Sequence, residues 1–277
     1  MRNKHRWIAV AAVLLVAALV WHASRRVPAG PDKGVSPNGR LERLRLKPST
    51  IRVGTFNIHR CKGRDGRRDV DRVAACLDGL DFVALHEVSG SPLLGFGDQA
   101  EALGSRLGLA WLFAPAERTW YGLSEFGNGF VTALPVLKWE RIPFSKGQDI
   151  TYRNVVLVDL RQQGRNIHVL LTHLSSRNDR ERRKQFRVVT DLFLAQAEPA
   201  ILVGDLNLRP KDPEIRELLA TPGVVDPVGE VLGPEVVRDV DWIFVRGLRA
   251  VDAGILNNDA SDHPMLWAEL ELLPETE

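Results

Sequence analysis

Short apolar runs in this chain end repeatedly in acidic, amide or imidazole side chains, and this limits the folds open to it. Apolar residues 200–203 lead directly into Gly204-Asp205-Leu206-Asn207. Because side chains in a strand alternate between two faces, Asp205 and Asn207 would point the same way from the end of a buried strand. The same arrangement recurs at residues 55–59, 85–87, 171–173, 240–242 and 261–264. A fold that brings these strand ends together would build an oxygen-rich site of the kind that binds divalent metals.

From residue 51 onward the apolar runs alternate with helical patterns. Strands are predicted at 51–57, 82–87, 129–133, 155–160, 167–173, 200–204, 240–245 and 265–272. Helices are predicted at 70–80, 99–107, 180–196 and 213–219. The sequence Gln162-Gln163-Gly164-Arg165 predicts a hairpin between two of the strands. Hairpin-linked strands with helices between them indicate an α/β fold with packed mixed sheets and helices outside.

Composition indicates an ordinary globular protein with one large folded domain. The chain has 277 residues, of which 44% are hydrophobic and 26% charged, enough for one large core. The formal net charge of +2 is too small to indicate a polyanionic partner by itself. Two cysteines, Cys61 and Cys76, exclude a disulfide framework and match no metal-ligand spacing.

The N-terminal segment has the layout of a signal sequence or signal anchor. Residues 7–21 are uncharged and almost wholly apolar, with basic residues on both sides. We expect an uncleaved membrane anchor at 1–26, a linker rich in Pro and Gly at 27–48, and the folded domain at 49–273. The basic N-terminal flank predicts that the domain lies outside the cytoplasm. The arginine-rich composition suggests a bacterial source, which would place the domain on the periplasmic or extracellular face of the inner membrane.

Seven short motifs follow one another in a fixed order along the chain. They are Thr55-Phe56-Asn57, His86-Glu87-Val88, Gly127-Asn128-Gly129, Thr172-His173-Leu174, Gly204-Asp205-Leu206-Asn207, Asp241-Trp242-Ile243-Phe244 and Ser261-Asp262-His263-Pro264. In this order they resemble the endonuclease/exonuclease/phosphatase superfamily over nearly all of the chain after the linker. The resemblance implies a four-layer α/β sandwich, with two central, mostly antiparallel mixed sheets flanked by helices. It also implies hydrolysis of a phosphoric ester with Mg²⁺ (or Mn²⁺) as cofactor.

Hydrolysis of a phosphodiester requires that the anion be neutralised, a water be aimed and the departing oxygen be stabilised. Glu87 offers a carboxylate and Asn57 a neutral oxygen, both suited to Mg²⁺, and both match metal positions of the superfamily. Asp262 is available as a third metal ligand or as an organiser of the site. His59 and His86 match no motif role and are assigned supporting roles.

The remaining motif residues carry the catalytic roles that the resemblance implies. Asp205 would hold or deprotonate the attacking water, and Asn207 would donate to a phosphoryl oxygen. His263 could accept a proton or bind phosphate as imidazolium, and Asp241 matches the carboxylate that orients it. The sequence leaves open which of these groups is the general base.

His173 matches a histidine carried by deoxyribonuclease-like, sphingomyelinase-like and phosphatase-like members, and abasic-site endonucleases depart from that pattern. Its expected role is contact with the phosphate or protonation of the leaving oxygen. Asn128 and Arg153 match positions that could contact the substrate phosphate, since a guanidinium fork suits its oxygens. The alternative for this pair is a turn asparagine and a solvated arginine.

The substrate class stays open at this stage. The basic loop 60–68 follows Asn57 directly, and its charge suits a nucleic-acid backbone or an anionic lipid headgroup. Trp120-Tyr121 and Trp242 are candidate stacking residues. We expect a monomeric, nuclease-like phosphodiesterase, with a phospholipid phosphodiesterase or an inositol-phosphate-type phosphatase as alternatives. The intact motif set disfavours a non-catalytic polyanion-binding module, and the missing Gly-Asn-His-Asp segment disfavours a calcineurin-type phosphoesterase.

Overall fold

The computed structural model describes residues 2–23, 32–38, 49–91, 96–119, 123–144, 152–233, 236 and 239–273. Two β-sheets form the centre of this described part. Sheet I has six strands in the order β1 (Lys33–Gly34), β7 (Val136–Pro143), β8 (Asn154–Gln162), β9 (Arg165–His173), β10 (Ala200–Asp205) and β11 (Asp241–Arg246). Sheet II has seven: β12 (Leu248–Leu256), β13 (Met265–Leu272), β2 (Thr50–Asn57), β3 (Phe82–Ser91), β6 (Ser124–Thr132) and β5 (Ala110–Thr119) in order, with β4 (Phe96–Asp98) beside β3.

Most neighbouring strands are antiparallel, as the resemblance implied. The pairs β2 with β3 and β9 with β10 are parallel. The helices are α1 (Arg2–Ala23), α2 (Val70–Leu77), α3 (Gln99–Leu107), α4 (Asp179–Leu194), α5 (Pro213–Leu219) and α6 (Pro227–Leu232), and a short 3₁₀ turn covers His59–Cys61. Polar N-caps begin several of them. Asp69 accepts from the backbone of α2 and Asn178 from that of α4, which satisfies amides that a helix start leaves open.

Alternation of side chains along the central strands creates the layers. In β10, Ile201 and Val203 belong to the apolar core between the two sheets. Leu202 instead belongs to the core that Phe186 of α4 and Ile215 of α5 share with the outer face of sheet I. The outer face of sheet II packs in the same way against α2 and α3. The result is the predicted four-layer sandwich of two mixed sheets flanked by helices.

Every strand and helix predicted from residue 51 onward is present, and the structure adds β1, β4, β5, β7, β12 and α6. The predicted hairpin joins β8 to β9 through Gln163 and Gly164, both with positive φ, as the favoured two-residue turn requires. Two of the added strands lacked a clear pattern. β5 contains Pro115, and β12 is an edge strand that exposes Val251.

Residues 32–38, inside the segment predicted as a linker, pack on the domain and correct that prediction. β1 pairs with Glu140 and Trp139 of β7. Asp32 forms an ion pair at 2.6 Å with Arg141, whose side chain is only 5% exposed. A buried guanidinium needs a partner, and an open sheet edge needs cover. Residues 27–31 and 39–48 of the predicted linker lie outside the described part.

The N-terminal segment forms the single helix α1, which covers the apolar run. Among the described residues, no helix is long and apolar enough to cross a membrane. This finding does not support the membrane anchor predicted from the sequence.

Candidate active site

The site lies between the sheets because each polar strand end continues the inward-facing series of its own strand. Asp205 follows Ile201 and Val203 at two-residue spacing in β10, and Asn57 follows Val53 in the same way in β2. The same alternation places His86, Asn128, Asn154, His173 and Asp241 in this layer. The apolar core between the sheets therefore ends in a polar layer built from both of them.

Asp205 is the centre of this layer and is only 1% exposed. Its Oδ2 accepts a hydrogen bond from Asn57 Nδ2 at 2.9 Å. The same oxygen lies 3.3 Å from His173 Nε2 and 3.9 Å from His263 Nε2. Oδ1 accepts from the backbone amide of Asn207 at 3.1 Å. The carboxylate is thus held from four sides by residues of both sheets.

Gly204 fixes the position of this carboxylate. A side chain at Gly204 would overlap the backbone carbonyl of Thr172 in the neighbouring strand β9. Only glycine allows the two parallel strands to approach this closely. The close approach brings the next residue, Asp205, into register with His173.

His263 and Asp241 form a second pair at the edge of the same cluster. Nδ1 of His263 donates to Oδ2 of Asp241 at 2.8 Å. Burial alone would lower the pKa of His263, but the hydrogen bond to Asp241 and the charges of Asp241, Asp205 and Asp262 outweigh it and raise the pKa to about 9. At neutral pH the ring is therefore an imidazolium that can donate from Nε2.

The two buried carboxylates respond to the same surroundings. Burial, reinforced by the charge of Asp241, raises the pKa of Asp205 to about 7, against the opposing effects of His263 and Asn57. Burial also raises the pKa of Asp241, and its hydrogen bond to His263 works in the other direction. Asp205 is thus a carboxyl that can gain or lose a proton near neutral pH.

His173 is neutral at pH 7. Burial and the positive charge of Arg153 lower its pKa well below 6.5. Arg153 Nη2 lies 3.5 Å from His173 Nε2, and Arg153 is only 8% exposed. Sequence reasoning allowed His173 to protonate the leaving oxygen. A ring with so low a pKa does not carry the extra proton at neutral pH, so it can act only through a neutral N–H or a lone pair.

Glu87 reaches the site through an irregularity in β3. Leu85 and Val88 both face the outer layer with α2 and α3, and the pairing with β6 shifts register between them. Glu87 is the residue inside this bulge, with a left-handed φ of 57°. The bulge re-aims its side chain, and Oε1 comes to 3.4 Å from Asn57 Nδ2.

Asp262 lies at the outer side of the cluster, with 58% of its side chain exposed. Its Oδ1 accepts from Ser261 Oγ at 3.2 Å and lies 3.4 Å from His59 Nδ1. The backbone amide of His59 in turn donates to Asn57 Oδ1 at 3.1 Å. Asp262 is therefore connected to Asn57 through His59, which gives that histidine a supporting position.

Two sets of side chains are candidates for holding a divalent cation. Ligand atoms of Asp205, Asp241 and His263 lie within 4.8 Å of one another. However, His263 holds a proton toward Asp241 at neutral pH, and an imidazolium cannot ligate a metal. The predicted set of Glu87, Asn57 and Asp262 offers two carboxylates and an amide oxygen, the donors that hard cations prefer. The second set therefore fits a cation such as Mg²⁺ or Mn²⁺ better than the first.

Asn128 is committed to a buried chain of hydrogen bonds that joins the two sheets. Its Nδ2 donates to Asn154 Oδ1 at 2.8 Å, so its Oδ1 accepts from His86 Nδ1 at 3.0 Å. His86 Nε2 then accepts from the hydroxyl of Thr55 at 3.0 Å. Burial lowers the pKa of His86 to about 4, so the ring is neutral. These hydrogen bonds give Asn128 a positioning role between the sheets. The predicted contact of Asn128 with the substrate phosphate stays a prediction, and Asn154 was not predicted by any motif.

Asn207 has a left-handed φ of 51° just after β10. Its Nδ2 donates to the backbone carbonyl of Leu174 at 3.1 Å. The amide nitrogen carries two hydrogens, so one holds the side chain in place and the group can donate to a second acceptor. The expected contact of Asn207 with a phosphoryl oxygen stays a prediction.

An aromatic residue that the sequence did not suggest contacts two arginines near the site. Trp242 is only 1% exposed, stacks on Phe244 and donates to the carbonyl of Leu208, so it is a core residue and not a stacking platform. Trp120-Tyr121 lies outside the described residues. Phe126, which is half-buried, instead contacts the guanidinium groups of Arg60 and Arg153.

Comparison with known proteins agrees with this architecture. Residues 54–263 match the Endonuclease/Exonuclease/phosphatase family. Tyrosyl-DNA phosphodiesterase 2 of Danio rerio is 30% identical over 125 residues, which cover 42% of this chain and 33% of that protein. The chain thus spans about a third of the length of that relative.

Solved structures of low identity share the fold. An endonuclease/exonuclease/phosphatase from Beutenbergia cavernae has a TM-score of 0.67 at 22% identity, with 81% of this chain and 72% of that chain covered. D. rerio TDP2 complexed with single strand DNA product has a TM-score of 0.62 at 22% identity, with coverage of 80% and 99%.

Proposed function

Since the chain belongs to the endonuclease/exonuclease/phosphatase family and is a phosphoric ester hydrolase, we propose that it is a nuclease-like phosphodiesterase that attacks phosphorus with an activated water. The observation that carries this proposal is the environment of Asp205. This carboxyl is buried between Asn57, His173 and His263, and its pKa is raised to about 7. A general base works best when its pKa lies near the working pH.

We assign the general base to Asp205 and a phosphate contact to His263. Asp205 would take a proton from the attacking water. His263, with a pKa raised to about 9, already carries its proton at neutral pH and so cannot act as the base. Its Nε2–H would instead donate to a phosphoryl oxygen, and Asp241 would hold the ring in place through Nδ1.

Other residues would stabilise the anionic transition state. Asn207 would donate its second amide hydrogen to a phosphoryl oxygen, and Arg153 would supply a fixed positive charge beside His173. Preorganised donors of this kind cost no reorganisation during the reaction. His173, as a neutral ring, would hydrogen-bond to the substrate or to Asp205 rather than act as a cation.

The cofactor in this proposal is a divalent cation, Mg²⁺ or Mn²⁺, held by Glu87, Asn57 and Asp262. When bound, such a cation would neutralise charge on the phosphate and lower the barrier to attack by an anionic nucleophile. The bulge at Glu87 supports this role, because it turns a carboxylate toward the site that a regular strand would have directed elsewhere.

We propose a nucleic acid as the substrate class. The similar D. rerio enzyme is named for action on tyrosyl-DNA, and one related structure contains a single-strand DNA product. The basic loop that begins at Arg60 packs beside the site, where Arg64 donates to the carbonyl of Ser261. Phospholipid phosphodiesterase activity and inositol-phosphate phosphatase activity are the competing outcomes of the test below.

The localisation proposal rests on the N-terminal sequence alone. We propose that residues 1–26 direct the domain out of a bacterial cytoplasm and that the domain acts as a monomer. Fractionation of cells that express the full chain, compared with a chain starting at Val27, would test the first point. Recovery of both chains in the cytosol would contradict it.

The function is tested by hydrolysis assays on the purified full chain with Mg²⁺ or Mn²⁺ and with chelator. Single- and double-stranded DNA, RNA, sphingomyelin and phosphatidylinositol are the substrates. We expect metal-dependent cleavage of nucleic acid that Asp205→Asn and His263→Ala each lower by at least about 10²-fold. Asp191→Asn, which removes an exposed carboxylate on α4, is the matched control. Cleavage of lipid without nucleic acid would contradict the proposed substrate, and metal binding without any cleavage would contradict the enzyme.

A further inference from the structure

Phe126 lies between the catalytic centre and the surface, in contact with two arginines. In β6, Phe130, Asn128 and Phe126 follow one another at two-residue spacing and face inward. Phe126 is the one of the three that lies nearest to solvent. The guanidinium carbon of Arg60 lies 5.0 Å from the ring centroid, and that of Arg153 lies 5.9 Å from it. Both distances are in the range of cation–π attraction. One aromatic ring therefore positions two cationic groups.

The backbone that presents Arg60 is held in an unusual conformation. His59, Arg60 and Cys61 all have left-handed φ values, of 46°, 58° and 54°. Such values are costly for side-chain-bearing residues and persist only where surrounding contacts hold them.

A glutamine from α3 supplies such a contact. Nε2 of Gln99 donates to the carbonyl of Arg60 at 2.7 Å, and Oε1 of Gln99 accepts from the amide of Ser89 in β3 at 2.9 Å. The turn is thus tied to sheet II. Arg60 is exposed at its side chain but fixed at its backbone.

These residues form a track from the reaction centre outward. Asp205 contacts His173, and His173 contacts Arg153. Arg153 and Arg60 share the ring of Phe126. Exposure increases along the track, from buried Asp205 to exposed Arg60. A substrate with a single phosphate would reach Arg153 but has no second anionic group for Arg60.

We propose that Arg60, positioned by Phe126, binds the phosphate next to the scissile one and so selects a polynucleotide strand over small phosphodiesters. Guanidinium groups bind phosphate oxygens in a bidentate manner, and in a nucleic acid strand phosphates recur at every linkage. The open outer end of the track suits a chain that continues into solvent. This inference rests on the proposed phosphodiesterase function.

The experiment compares two substrates that share the reaction but differ in phosphate number. These are a single-stranded DNA decamer and thymidine 5′-(p-nitrophenyl) phosphate, and the readout is the ratio of their kcat/KM values. Arg60→Gln should lower this ratio by about 10-fold to 100-fold, the range for loss of one charge-assisted hydrogen-bonded contact. Phe126→Leu should lower it as well, and Phe126→Tyr should restore it, because the aromatic face is kept.

Arg67→Gln is the matched control. Arg67 is an exposed arginine of the same loop, so the variant removes the same charge without touching Phe126. We expect it to change the ratio by less than about twofold. An equal drop in Arg67→Gln and Arg60→Gln would overturn the proposal in favour of a general effect of loop charge, as would an unchanged ratio in Arg60→Gln.

A binding measurement separates this inference from the proposed function. Fluorescence anisotropy of the labelled decamer, on the Asp205→Asn background with chelator, does not depend on turnover. Arg60→Gln should weaken binding about 10-fold and reduce the slope of log K against log salt by about 0.7, the value for one phosphate contact in a single strand. If the wild-type chain cleaves nothing, the proposed function fails, and this comparison of Arg60→Gln with Arg67→Gln still decides the inference.

Discussion

Asp241→Asn should uncouple the charge state of His263 from its position. An asparagine keeps an oxygen that can accept from Nδ1 but loses the negative charge. In the native site the pKa of His263 is raised from 6.5 to about 9. At about 1.36 kcal/mol per pKa unit, this corresponds to about 3 kcal/mol of preference for the protonated ring. Burial opposes protonation, and only the charges of Asp205 and Asp262 would still favour it, so without Asp241 the pKa of His263 should fall toward its ordinary value of about 6.5.

The sign of the pH dependence follows from the proposed role of the imidazolium. If the protonated ring binds the phosphoryl oxygen, kcat/KM of the wild-type enzyme falls as pH rises through about 9. In Asp241→Asn this fall in kcat/KM should move to about pH 6.5, and activity at pH 8 should drop by about 30-fold, because only about 3% of the His263 rings would then be protonated.

The pKa itself is measured by NMR titration of the His263 ring protons in chelator. Asp239→Asn is the control. Asp239 lies two residues before Asp241, and its carboxylate is exposed and pairs with Arg209. We expect it to leave the pKa of His263 near its native value. A pKa that stays near 9 in Asp241→Asn would refute the assignment of Asp241 as the group that keeps the ring charged.

Three further predictions concern stability. Because burial raises the pKa of Asp205 from 3.8 to about 7, the folded state is penalised increasingly as pH rises between these values. Asp205→Asn should therefore raise the free energy of unfolding at pH 8 in chelator by about 1–4 kcal/mol, and a gain of similar size at pH 4 would contradict this. Gly204→Ala should lower the free energy of unfolding, measured by urea denaturation, by at least about 2 kcal/mol, because the alanine methyl group would overlap the Thr172 carbonyl. An unchanged free energy of unfolding would refute the close approach of the two strands. Asp32→Asn should lower the free energy of unfolding, measured by thermal unfolding, by about 1–3 kcal/mol, because it removes the charged partner of buried Arg141. The control Lys33→Gln, at an exposed residue, should leave it unchanged. Equal effects of the two variants would show that the ion pair with Arg141 is not the cause.

The parts of the site that the sequence predicted are those set by local periodicity. Asp205, Asn57 and His173 each end an apolar strand, and the two-residue alternation places each on the face that turns out to lie between the sheets. Periodicity predicted packed mixed sheets with helices outside, and the four-layer arrangement was what the resemblance carried by the ordered motifs implied. The pairing of His263 with Asp241 was predicted from the motif resemblance, and its geometry agrees.

The parts that the sequence did not predict depend on contacts between distant residues. The bulge at Glu87 exists only in the pairing of β3 with β6, and residues 85–88 of β3 contain no glycine that would mark it. The side chain of Asn128 is held by a hydrogen bond to Asn154, which lies on the opposite sheet. In the same way, the position of Phe126 near the site depends on its contacts with Arg60 and Arg153, which are distant in the sequence.

The order in which the strands occur in the chain has a consequence for biosynthesis. β13, the last strand in the described part, pairs with β2, the first strand of sheet II in sequence. His263 immediately precedes β13 and closes the cluster around Asp205. A ribosome-bound chain that has not yet released β13 lacks the strand pairing that follows His263 and anchors it beside Asp205. Activity should therefore appear only after β13 has left the ribosome and paired with β2.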